Sequence, residues 1–176
     1  VLPEIAVSLN VAEIDGRRIE GGLRIERFES MLGKPDRCNV PGWRLKHVFI
    51  PYDDNVVYLF DQHGIALNEH KTSKLVHALV VNLELEQVRY ATKKRFPGTL
   101  TVLGVPVVAG MRFDEFSSQC EHNFTAHLGH AWFLDGERLS IQFEIKKAKG
   151  KYGLERGVIQ YVSVGFRGAH KHEEHV

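Results

Sequence analysis

Cysteine is scarce. The chain has only Cys38 and Cys120 in 176 residues, which excludes a disulfide-stapled scaffold and points to free thiols in a reducing compartment. An excess of either charge is also missing. The 23 Lys and Arg stand against 22 Asp and Glu, a formal net charge of +1, so no global field draws the chain to nucleic acid or to an anionic membrane. Long apolar runs are absent as well: Leu79–Leu83 and Val105–Ala109 fall far short of the roughly 20 residues that a bilayer-spanning helix needs. No basic segment leading into an apolar stretch opens the sequence. The expectation is therefore a cytoplasmic protein, or a periplasmic one if a leader has been removed. With 43% hydrophobic residues, an ordinary buried core is within reach.

The chain repeats itself. Val11–Leu32 lies over Thr99–Cys120, 88 positions later, without a gap. Gly16 and Gly104, Gly22 and Gly110, Arg24 and Arg112, Phe28 and Phe116, and Ser30 and Ser118 are identical, while Ile14 and Val102, Ile19 and Val107, and Ile25 and Phe113 keep apolar character. A duplicated unit predicts two similar halves sharing a core. Ala6–Glu13 and Arg17–Glu20 read as strands around the Asp15-Gly16 turn, and Ile25, Phe28, Met31 and Leu32 fall on one face of a short helix stopped by Gly33 and Pro35. The second copy follows with Leu103-Gly104 as its turn and with Phe113, Phe116 and Cys120 as its helical face.

After each helix the pattern returns to strands. His47–Pro51, Asn55–Asp61, Gly64–Asn68 and Lys74–Leu85 form the first meander. Ala126–Leu134, Arg138–Lys146 and Gly157–Phe166 form the second, with Asp135-Gly136 as its sharpest turn. The expected fold is α+β: two ββα-plus-meander halves, antiparallel sheets, and one short helix each. The halves run over 1–90 and 91–176, meeting near Lys93-Lys94-Arg95 and Pro97-Gly98, with a flexible His-rich tail over 169–176, and form one compact unit. One helix covers only part of such a sheet, so the rest packs on the other half or on a partner.

Candidate chemistry is thin. Cys120, His122, His127 and His130 supply soft sulfur and imidazole suited to zinc, but lack the paired short spacing of a zinc knuckle, so a metal-binding enzyme or sensor is the alternative reading and no metal or other cofactor is the expectation. Gly21-Gly22 precedes a helix without the Lys-Ser/Thr of a phosphate loop. No glycine pattern brackets a serine as a nucleophile elbow would, so no enzyme activity is expected. More informative are Tyr52, Asp53, Asp54, Tyr58 and Asp61, with Trp132 and Asp135 in the second half. Aromatic anchors rimmed by charge suit a protein interface.

Phe28-Glu29-Ser30-Met31-Leu32-Gly33-Lys34-Pro35-Asp36-Arg37, following Asp15-Gly16 and leading to Tyr52-Asp53-Asp54, resembles bacterial immunity-type proteins encoded beside secreted antibacterial toxins, those of type VI secretion included. The helix-and-sheet layout is similar to the tandem repeats of the β-lactamase inhibitory proteins and to a small outer-membrane assembly lipoprotein family. The resemblance implies a protein that neutralises a cognate toxin by contact; Tyr52, Asp53, Asp54, Tyr58, Asp61, Trp132 and Asp135, read from their own character, are the expected contact residues. The balanced charge and short apolar runs predict no nucleic acid and no membrane, and an exposed edge strand in a duplicated sheet is able to pair with a second copy or a partner. A structural component of the envelope is a further alternative.

Overall fold

A computed structural model describes residues 2–20, 22–39, 42–45, 48–51, 54–85, 92–127, 129–146 and 156–167. Fifteen strands and two helices are described. They run in the order β1 (Glu4–Val7), β2 (Ala12–Ile14), β3 (Arg17–Ile19), α1 (Ile25–Leu32), β4 (Arg37–Asn39), β5 (Gly42–Leu45), β6 (Val48–Pro51), β7 (Asn55–Phe60), β8 (Ile65–His70) and β9 (Val76–Asn82). There follow β10 (Thr99–Val102), β11 (Val105–Val107), α2 (Phe113–Ser117), β12 (Thr125–His127), β13 (Ala131–Asp135), β14 (Leu139–Lys146) and β15 (Val158–Phe166).

The hairpin turns form where the sequence places them. Asp15 and Gly16 take φ of 50° and 70°, and Leu103 and Gly104 take 53° and 81°. Both central residues are thus left-handed, as the primed turn matching strand twist requires. Each hairpin leads to a short helix. Ile25, Phe28 and Leu32 are the buried face of α1, and Gly33 ends it at φ 79° with its N–H donating to the Glu29 carbonyl. In α2, Phe113 and Phe116 are buried, while the Glu115 carboxylate accepts the Arg112 N–H at 3.1 Å.

Some expected elements are divided. Ala6–Glu13 is not one strand, because the Ser8 N–H donates to the Val11 carbonyl at 2.8 Å and turns the chain between β1 and β2. Ala126–Leu134 likewise breaks at Gly129, φ 68°, into β12 and β13. The second helix stops at Ser117, so Cys120 lies beyond it, partly buried against the core. Tyr52, Asp53 and the tail over 169–176 lie outside the described residues.

Two large sheets result. The smaller has five strands in the order β11-β10-β1-β2-β3, antiparallel except for β1 and β10, which run parallel with Ile5 opposite Leu100. The larger has eight in the order β12-β13-β14-β15-β9-β8-β7-β4, with β9 and β15 joined antiparallel at its middle. Residues 42–45 and 48–51 form a separate two-stranded hairpin, β5-β6, between β4 and β7 in the chain. One apolar cluster joins the layers: Ile5, Ile14, Leu100 and Val102 from the small sheet, Phe28 and Phe116 from the helices, and Leu79, Ile141, Phe143 and Val162 from the large one. The helices and the small sheet therefore cover one face of the large sheet, which leaves its opposite face to be accounted for.

Candidate functional site

Cross-strand register fixes what that opposite face carries, since directly paired residues point the same way. One row crosses all eight strands: Thr125, Phe133, Gln142, Ser163, Val80, Ala66, Leu59 and Arg37. Its character changes at the β9–β15 junction. Val80, Ala66 and Leu59 are fully buried and pack with Val57 into a second apolar cluster. Ser163, Gln142 and Phe133 are half-buried, and Thr125 is exposed. The sheet is thus dry on its outer face over β7–β9 and open and polar over β12–β15.

The open part is ordered by its own contacts. Strict alternation in β14 sends Leu139, Ile141, Phe143 and Ile145 into the core and leaves Ser140, Gln142 and Glu144 on the outer side. Glu144 accepts from Gln142 Nε2 at 3.2 Å and lies 2.9 Å from His130 Nδ1. The His127 and Phe133 rings meet edge-on with centroids 5.1 Å apart. Asp135 pairs with Arg167 across the sheet end. Between these groups lies a groove of about 590 Å³, lined by Asn123, Thr125, His127, Phe133, Asp135 and Ser140 among others. Polar groups held by neighbours around an aromatic ring form a surface prepared for docking, with little side-chain entropy left to lose.

The residues expected at the interface do not converge. Asp54 is exposed and ties β7 to the β8–β9 turn, its Oδ2 accepting from Thr72 at 3.1 Å and its carbonyl accepting the Lys71 N–H at 2.7 Å. Asp54 and Asp135 stand five strand steps apart in the sheet order, about 24 Å at the usual strand spacing. Tyr58 turns inward against the main core, where its hydroxyl donates to Glu69 Oε1 at 3.2 Å. Burial, and then the Glu69 carboxylate beside it, pushes the phenol up to about 12. Trp132 also faces the core, stacked on Phe113 at 4.8 Å within an aromatic group that includes Phe143. Its Nε1 is buried without a hydrogen-bond partner among the described residues.

Asp61 is the sharpest correction. It is 1% exposed, where a docking carboxylate needs to be open. Its Oδ2 and Oδ1 accept from Arg37 Nε and Nη2, both at 2.7 Å, and Oδ1 also accepts the Lys93 N–H at 2.9 Å. The Arg37 hydrogen bond, against the opposing cost of burial, holds this carboxyl below the usual range, and Asp61 in turn raises Arg37. Asp61 therefore clamps β4 and the Lys93 segment to the end of β7. The four presumptive zinc ligands are not assembled either. Cys120 packs on the core, His122 is exposed, His127 meets Phe133 and His130 meets Glu144. No group of three His, Cys, Asp or Glu placed to hold a metal occurs among the described residues, and both cysteines are free.

The open face has its own signal in the sequence, in β14 rather than at the turns. Leu139-Ser140-Ile141-Gln142-Phe143-Glu144-Ile145-Lys146 alternates with period two throughout, which marks a strand half-buried and half-wet.

Fold and face together define an α+β protein with two stacked sheets, whose larger sheet carries an open polar surface on one half. The chain belongs to the family described as a domain of unknown function, DUF7738, which matches residues 4–117. That match spans both hairpins and ends with α2. No curated protein and no solved structure matches the chain. No helix among the described residues is long and apolar enough to cross a membrane.

Proposed function

We propose that this is a binding protein of the immunity type, which neutralises a cognate bacterial toxin in the cytoplasm by protein–protein contact and carries out no reaction of its own. One observation carries the reading: the outer face of the large sheet is apolar and dry over β7–β9 but polar, half-open and internally hydrogen-bonded over β12–β15. A surface with aromatic contact area and pre-paired polar groups suits selective docking better than it suits a closed substrate pocket. The contact set is accordingly Phe133, Gln142, Glu144, His127 and Asp135, which keeps Asp135 alone of the residues expected from the turns.

The reading includes a duplicated architecture, with 1–90 and 91–176 as related halves of one unit. Four matches support it. The turns at Asp15-Gly16 and Leu103-Gly104 share left-handed φ; Gly22 and Gly110 both sit at φ 82°; Arg24 and Arg112 precede the helices with nearly equal dihedrals. In the large sheet, β4, β7, β8 and β9 mirror β12, β13, β14 and β15 about the β9–β15 junction.

The test is to express the neighbouring open reading frame in a susceptible bacterium with and without this protein, and to ask for co-purification. Rescue with a complex that Gln142→Ala plus Glu144→Ala weakens, at unchanged thermal stability, is the expected result. A harmless neighbour with no complex removes the reading.

A further inference from the structure

We propose that the outer edge of β12 is the docking strand: an extended segment of the partner protein adds to it as a further strand of the large sheet and lays alternate side chains along the adjoining groove. This deepens the neutralising-binder reading and rests on it. Among the described residues the two large sheets end in four edge strands, β3, β11, β4 and β12. Exposed edges offer unpaired N–H and C=O groups to any extended chain, and proteins guard them with proline or charge. Three of the four are guarded: β11 has Pro106 at its centre, β3 carries Arg17 and Arg18, and β4 opens on Arg37. The fourth, Thr125-Ala126-His127, has no proline, lysine, arginine or carboxylate, and all three residues are exposed.

The polar groups on this edge face the right way. The His127 carbonyl accepts the His130 N–H in the turn to β13, so the polar groups of residue 127 point toward β13. Alternation along a strand then sends the Ala126 N–H and C=O outward. Thr125 and His127 put their side chains on the open face, at the rim of the groove floored by Phe133. An added strand gains main-chain hydrogen bonds from the edge and side-chain selection from the groove, as strand-addition recognition does. The groove favours an apolar or uncharged polar side chain there, because Asp135 is already matched by Arg167.

A second copy of this chain fits the edge less well than a foreign partner. Two three-residue strands paired about a two-fold axis extend the sheet in its own plane and leave both open faces uncovered, well below the ~1,000 Å² of a stable interface. A partner free of that symmetry can turn from the edge onto the β13–β15 face.

The probe is the purified product of the neighbouring open reading frame. Two measurements are made on the full chain: its affinity for wild type and for Ala126→Pro, and the exchange rate of the Ala126 amide hydrogen by NMR in the free and bound wild type. Ala126→Pro should weaken binding about 100-fold with little change in melting temperature, and complex formation should slow the Ala126 amide about tenfold or more. The exchange measurement decides the matter if the proline variant misfolds. A complex in which the Ala126 amide stays unprotected overturns strand addition and leaves the neutralising reading standing. No complex with wild type overturns both. Protection of Ala126 that grows with concentration in the isolated protein assigns the edge to a second copy and likewise overturns the proposal.

Discussion

Replacing Asp61 by asparagine separates a structural clamp from an interface residue. The wild-type carboxylate accepts two hydrogen bonds from Arg37, both at 2.7 Å, and a third from the Lys93 N–H at 2.9 Å. An asparagine can keep the Lys93 contact through its carbonyl oxygen, but its NH₂ then faces an Arg37 N–H, donor against donor, and the guanidinium loses its bidentate carboxylate. Breaking a buried ion pair from one side costs about 3–5 kcal/mol. The Arg37 side chain is 37% exposed and can turn toward water, so the lower figure of about 2–3 kcal/mol applies. For a chain of this size that lowers the melting temperature by roughly 5–10 °C. The pH dependence follows from the direction of the shift. Asp61 titrates below its ordinary value when folded, so its stabilisation is fully present above the unfolded carboxylate pKa of about 3.9 and is lost as the pH falls through the lower folded value. Chemical denaturation of wild type and Asp61→Asn should give a constant gap from about pH 5 to 8 that closes in more acid solution. A gap below about 1 kcal/mol at pH 7, or one that persists unchanged at the acid end, would falsify the clamp. A loss of partner binding without loss of stability would instead return Asp61 to the interface.

Two glycines should respond very differently to alanine. At Gly16 a methyl group meets nothing within 4 Å, so Gly16→Ala is charged only for its left-handed backbone, about 1 kcal/mol in urea unfolding. At Gly64, also left-handed, the added carbon collides with the main chain of Arg95 and Phe96, which cannot rotate away; Gly64→Ala should cost more than about 3 kcal/mol, and equal losses at the two sites would refute the contrast. Ultraviolet titration should show a phenol ionising near 12 that is absent in Tyr58→Phe. A tyrosine raised above its unfolded value adds stability that is complete below about pH 10 and lost as the pH climbs to about 12, so the wild-type advantage over Tyr58→Phe should vanish across that interval.

What was legible in the sequence was local. Asp15-Gly16, Asp135-Gly136 and Gly33 carry their geometry within two or three residues, and the structure turns the chain at each. The apolar spacing of Ile25, Phe28 and Leu32 identified the buried face of α1 for the same reason. What escaped depends on partners far along the chain. Asp61 reads as a charge at a strand end, and only the approach of Arg37 and Lys93 turns it into a buried anchor. Trp132 and Phe133 are neighbours of similar character, and it is register with Phe143 and Gln142 that sends the first to the core and the second to the open face. The parallel partnership of β1 with β10 left no mark in either strand, because both faces of such a pair are chosen by the whole sheet.

That partnership sets an order on the birth of the molecule. β1 lies between β2, which follows it at once, and β10, which is made only after the whole first meander has been translated. β9 waits in the same way for β15, which comes later in the chain than β10. Until those late strands emerge from the ribosome, Ile5, Val7, Leu79 and Val81 have no finished core to enter, and loop closure over such separations is slow. A nascent chain stalled after β9 holds two further open sheet edges, at β1 and β9, and a row of unburied aliphatic side chains, the state in which aggregation and chaperone capture compete with folding. The large sheet closes across its middle only when β15 arrives.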